Sequence, residues 1–206
     1  MRGRVGHRPR LLREGRIFWE QSLPGVEAAE RSALYDELNR VIAALHGVDF
    51  ATLGLADYGK AGNYFSRQIE RWSRQYRAGE TGTIEAMDRL IEWLPRHIPQ
   101  EEHPQVSLVH GDYRLDNVIF HPAEPRILAV IDWELSTLGH PLADFAYHLM
   151  SWHIAPGGTM RGLGGLDLQA LGIPGESAYI AAYERRIGRS VAGDWNYCLA
   201  YNLFRI

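Results

Sequence analysis

The stretch VSLVHGDYRLDNVIFHPAEPRILAVIDWELSTLGHPLAD, Val106 to Asp144, decides how the rest of the chain is read. Val106–Val109 is a short apolar run that ends at His110. His110-Gly111-Asp112 follows, and Asn117 stands five residues after Asp112. Val118–Phe120 is a second apolar run. His121-Pro122-Ala123-Glu124-Pro125 is turn chemistry. Ile127–Ile131 is a third apolar run, and it ends on Asp132. Short runs bounded by turn signals predict three strands in one small β unit, followed by a polar loop. Oxygen-bearing side chains then fall where the strands stop.

That spacing has a mechanical meaning. In phosphoryl transfer, a loop aspartate accepts or orients the acceptor hydroxyl, and an asparagine five positions later reaches Mg²⁺. A second aspartate, at the end of a later strand, holds the metal against the ATP phosphates. Asp112, Asn117 and Asp132 supply this set in this order. Mg²⁺ suits the reading because it takes few protein oxygens and keeps sites for water and phosphate. Taken singly, each residue has a plainer role. Asp112 fits a turn, Asn117 a strand-start cap, and Asp132 and Asp144 helix N-caps. A rival chemistry also stays open. His110, Asp112, Asp132, His140 and Asp144 are ligand types for a metal-dependent phosphohydrolase, in which Asn117 would be idle.

At these residues the chain resembles a known family. His110-Gly111-Asp112-x4-Asn117, then Ile131-Asp132-Trp133-Glu134, then Gly139-His140-Pro141-x2-Asp144, is similar to the aminoglycoside phosphotransferase and choline kinase family. The phrases GRIFW, DELNRVIAALH, RQIERW and DWELSTLGHPLAD resemble the branch associated with acyl-CoA dehydrogenases. The similarity runs from about Glu14 to the end. It implies an α+β, mostly helical fold, the large C-terminal lobe of a protein-kinase-like phosphotransferase, with the small β unit at the active site. It also implies roles. Asp112 would be the base or hydroxyl-orienting residue, and Asn117 and Asp132 would hold Mg²⁺ and through it ATP. Glu134 would bind a second metal through water. His110 and Asp144 would brace the loop. Arg114 would offset the charge between carboxylates or steady the transferred phosphoryl group. The acceptor would be a hydroxyl of a small molecule, with a hydroxyacyl-CoA as one candidate. Aminoglycoside resistance is not implied.

Composition sets outer bounds. The 206 residues are 46% hydrophobic and 23% charged, ordinary for globular material. The net charge of −3 argues against a general nucleic-acid binder. Cys198 is the one cysteine, so neither a disulfide framework nor a cysteine zinc site is expected. No apolar run is long enough to span a membrane, and no secretory segment follows Met1. A reducing cytoplasm is the expected setting.

Lys60 is the only lysine among 22 basic residues. It sits in Tyr58-Gly59-Lys60-Ala61-Gly62, which reads as a loop. Kinase-like enzymes pair the phosphates with a lysine on a strand and cover them with a strand-borne loop. Neither is visible. Residues 14–206 are therefore expected to be a large lobe without its ATP-binding small lobe. Residues 1–13, with Arg2, Arg4, Arg8, Arg10 and Arg13, are expected to be a basic, disordered tail. A non-catalytic remnant or a binding module is the alternative to an enzyme.

Outside the central stretch, helical periodicity dominates. Leu34, Leu38, Val41, Ile42 and Leu45 predict a helix over 26–46. His46, at its end, is expected to contact the helix dipole. Phe65, Ile69, Trp72 and Tyr76 predict a second helix, with Arg67, Arg71 and Arg74 as a basic stripe. The stripe is either a solvated face or a clamp for an anionic acceptor. Thr83 is expected to cap a third helix, closed by Pro95 and Pro99. Pro141 helps to start a helix that carries Asp144 in its first turn. The glycines of 152–165 follow a helix rather than a strand. They predict a mobile loop near the acceptor pocket, lined by Trp152 and His153 unless Trp152 is core. Residues 176–187 read as a helix stopped by Gly188. Asp194 is expected to cap a last helix, 195–206, which the chain leaves without a stop signal, so both ends look cut.

Overall fold

The computed structural model describes residues 14–60, 62–100, 105–158, 160–191 and 193–206; the predicted basic tail lies outside them. Its framework is helical. Helix α1, Ala28–His46, buries Leu34, Leu38 and Ile42 along one face, as the spacing predicts, and starts two residues later than expected. Helix α2, Tyr64–Gly79, buries Phe65 and Ile69. Helix α3 spans Glu85–Trp93. Its N-cap is Ile84, not the predicted Thr83. The backbone carbonyl of Ile84 takes the N–H groups of Met87 and Asp88, so the hydroxyl one residue earlier caps nothing. A 3-10 turn at Leu94–Arg96 carries Pro95 and closes the segment.

The strands come next. β1 is Ser107–Val109, β2 is Val118–Phe120, β3 is Ile127–Val130 and β4 is Thr137–Gly139. They do not form one unit of three. β2 pairs antiparallel with β3, Val118 opposite Val130, while β1 pairs antiparallel with β4, Leu108 opposite Leu138. The prediction read Ser136–Gly139 as polar loop. The three residues Thr137-Leu138-Gly139 give too little alternation to read, so β4 is recognised only through its partner. Arg16 adds an edge to the first hairpin, exchanging backbone bonds with Phe120 at 2.8 and 2.9 Å.

Helix α4, Pro141–Leu149, is buried along its whole length. α5 is a single turn, Leu168–Leu171. α6, Glu176–Ile187, ends at Gly188 with φ +74°, the left-handed stop the sequence predicts. α7, Trp195–Arg205, starts at Asp194, whose side chain makes no capping bond.

The core fixes α4 in place. Phe145 stacks on Tyr183 of α6 with ring centroids 3.8 Å apart. Asn202 of α7 donates its amide to the Ala143 carbonyl at 2.8 Å. Asn39 of α1 donates to the Tyr179 carbonyl at 2.9 Å. Glu37 of α1 accepts the Ile127 N–H at 3.0 Å and so positions the start of β3. Among the described residues no helix is long and apolar enough to cross a membrane.

Candidate active site

The two hairpins bring the chemistry-bearing residues to one place. His110 follows β1 directly, and the chain then runs through Gly111 and Asp112 to a 3-10 turn, Leu115–Asn117, that feeds β2. Pairing continues one step past the hairpin, since Ile131 N–H donates to the Asn117 carbonyl at 2.9 Å. Asp132 is therefore the next residue beyond Asn117's partner. It takes φ +65°, ψ +58°, a left-handed conformation unusual for a side-chain-bearing residue, which bends the chain away from β3 into the turn Trp133–Leu135. Its side chain is exposed and caps nothing.

The loop from His110 to Asp112 is held against that turn. The His110 ring donates from Nε2 to the Ile131 carbonyl at 2.9 Å, and its Nδ1 accepts the Asp112 N–H at 3.2 Å. Gly111 has φ +83°, and a Cβ there would lie 2.6 Å from the Leu135 carbonyl oxygen. Glycine is required on both counts. Asn117 Nδ2 donates at 2.9 Å to the Asp112 carboxylate through Oδ2, and to the Asp112 carbonyl at the same distance. The other oxygen of Asp112, Oδ1, is buried and without a hydrogen-bond partner. Arg114 stands 3.8 Å from it.

Asp144 anchors the loop from below. Fully buried on α4, it accepts the His110 N–H through Oδ2 and the Gly111 N–H through Oδ1, both at 2.8 Å. His46 adds a third bond at 3.1 Å, and the opposite ring nitrogen of His46 meets the Tyr183 hydroxyl at 2.6 Å. Burial pushes the Asp144 carboxyl up. The His46 contact and the two backbone N–H bonds outweigh it, so the group is held below its ordinary value. His46 does sit in the last turn of α1, as expected, and its ring in addition braces Asp144.

Arg114 is fixed by a two-pronged ion pair with Asp116, Nε to Oδ1 at 3.0 Å and a closer contact at the second oxygen. Burial works against its cation, but the Asp116 carboxylate beside it holds the group above its usual value. Glu134 is exposed in the turn after Asp132. Among the described residues no three His, Cys, Asp or Glu side chains gather into a metal cluster. The rival ligand set also fails on its members, since His110 and Asp144 direct their polar atoms into internal bonds.

Two residues escaped the sequence reading. Tyr147, three positions after Asp144 on α4, has a phenol held protonated by burial and by the neighbouring Asp112 carboxylate. Arg205 of α7 donates to the Gly111 carbonyl at 2.8 Å, and its guanidinium lies 4.4 Å over the Tyr147 ring. The i, i+3 spacing from Asp144 marks Tyr147 as lying on the same helical face. Nothing local marks Arg205, which reaches the loop from 94 residues away.

Beside this loop lies a cavity of about 330 Å³. Arg114, Asp116 and Tyr147 form its end nearest Asp112, and Trp19, Met150, Ile154 and Met160 supply apolar wall. The glycine-containing loop after α4 does border it, through Met160, Arg161 and Gly162. Trp152 does not. It is core, with its indole N–H on the Pro174 carbonyl at 3.0 Å, and His153 pairs with Glu176 at 2.9 Å. The basic stripe of α2 is largely engaged locally. Arg67 donates to the carbonyls of Lys60 and Gly62, Arg74 pairs with Glu70 at 3.2 Å, and Arg71 lies over Trp72. Lys60 is exposed at the edge of a turn and belongs to no strand.

A family model for phosphotransferase enzymes matches residues 12–183. The chain belongs to the phosphotransferase enzyme family. Among relatives of this phosphotransferase, mouse acyl-CoA dehydrogenase family member 10 is 44% identical over 193 residues. That match covers 93% of this chain and 18% of the mouse protein, so the chain spans less than a fifth of that relative. A crystal structure from Ralstonia eutropha JMP134, provisionally assigned as an aminoglycoside phosphotransferase, is 64% identical with a TM-score of 0.90. It covers 93% of this chain and 58% of its own. An aminoglycoside phosphotransferase from Streptomyces rimosus, solved with ADP and streptomycin, is 16% identical with a TM-score of 0.59. That match covers 88% of this chain and 65% of the other. It shares the kinase-like fold of the phosphotransferases.

Proposed function

We propose that this phosphotransferase transfers the γ-phosphoryl group of ATP to a hydroxyl of a small molecule, in a Mg²⁺-dependent reaction. The observation that carries the reading is the convergence of Asp112, Asn117 and Asp132 through the Asn117–Ile131 pairing and the His110–Ile131 bond. The donor set fits a hard divalent ion: one amide oxygen and one unpaired, exposed carboxylate, with few protein ligands. Asn117 and Asp132 would hold the ion, Glu134 would reach a second through water, and the bound ion would neutralise charge on the phosphate oxygens. ADP bound to the Streptomyces rimosus protein supports ATP as donor at the level of the fold.

Asp112 takes or orients the proton of the acceptor hydroxyl through Oδ1, the oxygen without a partner. Asn117 fixes the carboxylate's rotation through Oδ2. His110 and Asp144 hold the loop, and Arg114 offsets the charge between Asp112 and Asp116. The cavity suits an acceptor with a hydroxyl and an apolar body, since Met150, Ile154 and Met160 line it together with Arg114 and Asp116. A short hydroxyacyl group carried on CoA has that shape, and the dehydrogenase relatives support an acyl thioester.

The exposed, loop-borne Lys60 favours a second reading, in which these residues bind an acceptor without turning over ATP. Mg·ATP-dependent transfer by the intact wild-type protein decides between them, its absence favouring the binding reading, and replacing Asp132 by Ala tests the site. Loss of Mg·ATP-dependent transfer supports the enzyme, and activity above about a tenth of wild type removes Asp132 from the mechanism.

A further inference from the structure

The rim of the cavity carries an ion pair that the reaction itself does not need. Glu20, between the lining residues Trp19 and Gln21, pairs closely with Arg161, between Met160 and Gly162. The two residues are 141 positions apart. The Arg161 loop is pinned at its base, Leu163 N–H to the Ser151 carbonyl at 2.7 Å and Gly164 N–H to the Ile154 carbonyl at 2.8 Å. Gly162 passes so close to Ile154 that a Cβ would meet its carbonyl oxygen. Beyond the base, a Cβ added at Gly157 or Gly158 would meet open space. Among the described residues, the Glu20–Arg161 pair ties this loop to the segment before α1.

Each of the other arginine–carboxylate pairs near the site is built to last. Arg114 and Asp116 are largely shielded, with side-chain exposures of 33% and 17%. Arg161 and Glu20 are open, at 57% and 40%. An exposed pair contributes little and exchanges readily for another anion of equal geometry. A guanidinium fork at a cavity mouth, occupied by a single exposed carboxylate, is a ready site for a ligand anion.

We propose that Arg161 is a specificity-determining residue, reading an anionic group on the acceptor at the end opposite its reacting hydroxyl, and that Glu20 is the carboxylate this group displaces. The proposal rests on the acceptor cavity of the preceding section. The anion can be a carboxylate of the acceptor or a phosphate of a carrier such as CoA, which present the same chemistry to the fork.

Calorimetric binding separates these cases without relying on turnover. The probes are 6-hydroxyhexanoate, the uncharged 1,6-hexanediol, and 6-hydroxyhexanoyl-CoA, each against wild type, Arg161→Gln and Glu20→Gln. Wild type should bind at least one of the anionic probes about tenfold more tightly than the diol. Arg161→Gln should erase that preference and leave diol binding unchanged. Glu20→Gln should tighten the anionic probe about two- to fivefold by removing the competitor. Dependence on Arg161 for the free acid identifies the carboxylate, and dependence for the thioester alone identifies the carrier phosphates. Equal binding of all three probes, no binding of any, or a preference that survives Arg161→Gln overturns the proposal. Both side chains are exposed, so folding should be untouched, which thermal melts confirm. Absence of Mg·ATP-dependent transfer by the wild-type protein would defeat the phosphoryl-transfer reading while leaving these binding results intact.

Discussion

At the residue scale, the proposed site divides into atoms that would react and atoms that hold. Of the two Asp112 oxygens, Oδ2 is committed to Asn117, and the proposal gives the acceptor hydroxyl to the buried Oδ1, beside Arg114. Asp112→Asn should keep nucleotide affinity and lower kcat by roughly 10²- to 10⁴-fold, measured by steady-state turnover beside nucleotide titration. Asp144 holds. Truncating it to Ala strips the partners from two buried N–H groups and from His46, and should cost about 3–5 kcal/mol in denaturant unfolding. A loss below about 1 kcal/mol would mean that water replaces the carboxylate. The order and spacing of the proposed reacting residues could be read in the sequence because they are local, within Asp112 to Asp132. The support from His46 and Arg205 could not, because it comes from distant helices through single side-chain atoms.

At the scale of elements, helix periodicity read well where one face is buried, as in α1 and α2, and turn chemistry placed β2 and the stop of α6. The division of the strands into two hairpins did not read. Strands of three residues carry too little alternation to name their partners, and the pairing of β1 with β4 bridges the whole active loop. Glycine ends give a clean test of what the sequence could see. Gly188 has φ +74° with open space around it, so Gly188→Ala should cost about 1 kcal/mol, the left-handed penalty alone. Gly172 has φ +73°, but a Cβ there would sit 2.3 Å from the Ala28 carbonyl oxygen. Gly172→Ala should cost clearly more than Gly188→Ala in the same thermal melts, because α5 and the start of α1 must separate. Equal costs would show that this junction yields.

At the scale of the molecule, acid stability follows from the interior. His148 of α4 is fully buried against Tyr179, and burial pushes its pKa down from 6.5 to about 4. A base with a lower pKa folded than unfolded contributes stability that is complete above pH 6.5 and is lost as pH falls towards 4. The loss should be about 3 kcal/mol, an order-of-magnitude figure from the shift. Asp144, held low in the folded state, acts in the same direction as pH falls. Unfolding free energies measured from pH 7 to 4 should therefore decline, and His148→Gln should flatten the upper part of that decline. An unchanged slope would place the acid sensitivity elsewhere.

The contrast between the sealed Asp144 anchor and the open Glu20–Arg161 rim bears on how such a protein diversifies. Substitutions at the rim leave the anchored loop's geometry alone, whereas substitutions at the anchor disturb every reaction the loop supports. Lineages built on this architecture can therefore explore new acceptors through the mouth of the cavity while inheriting one unaltered chemical engine.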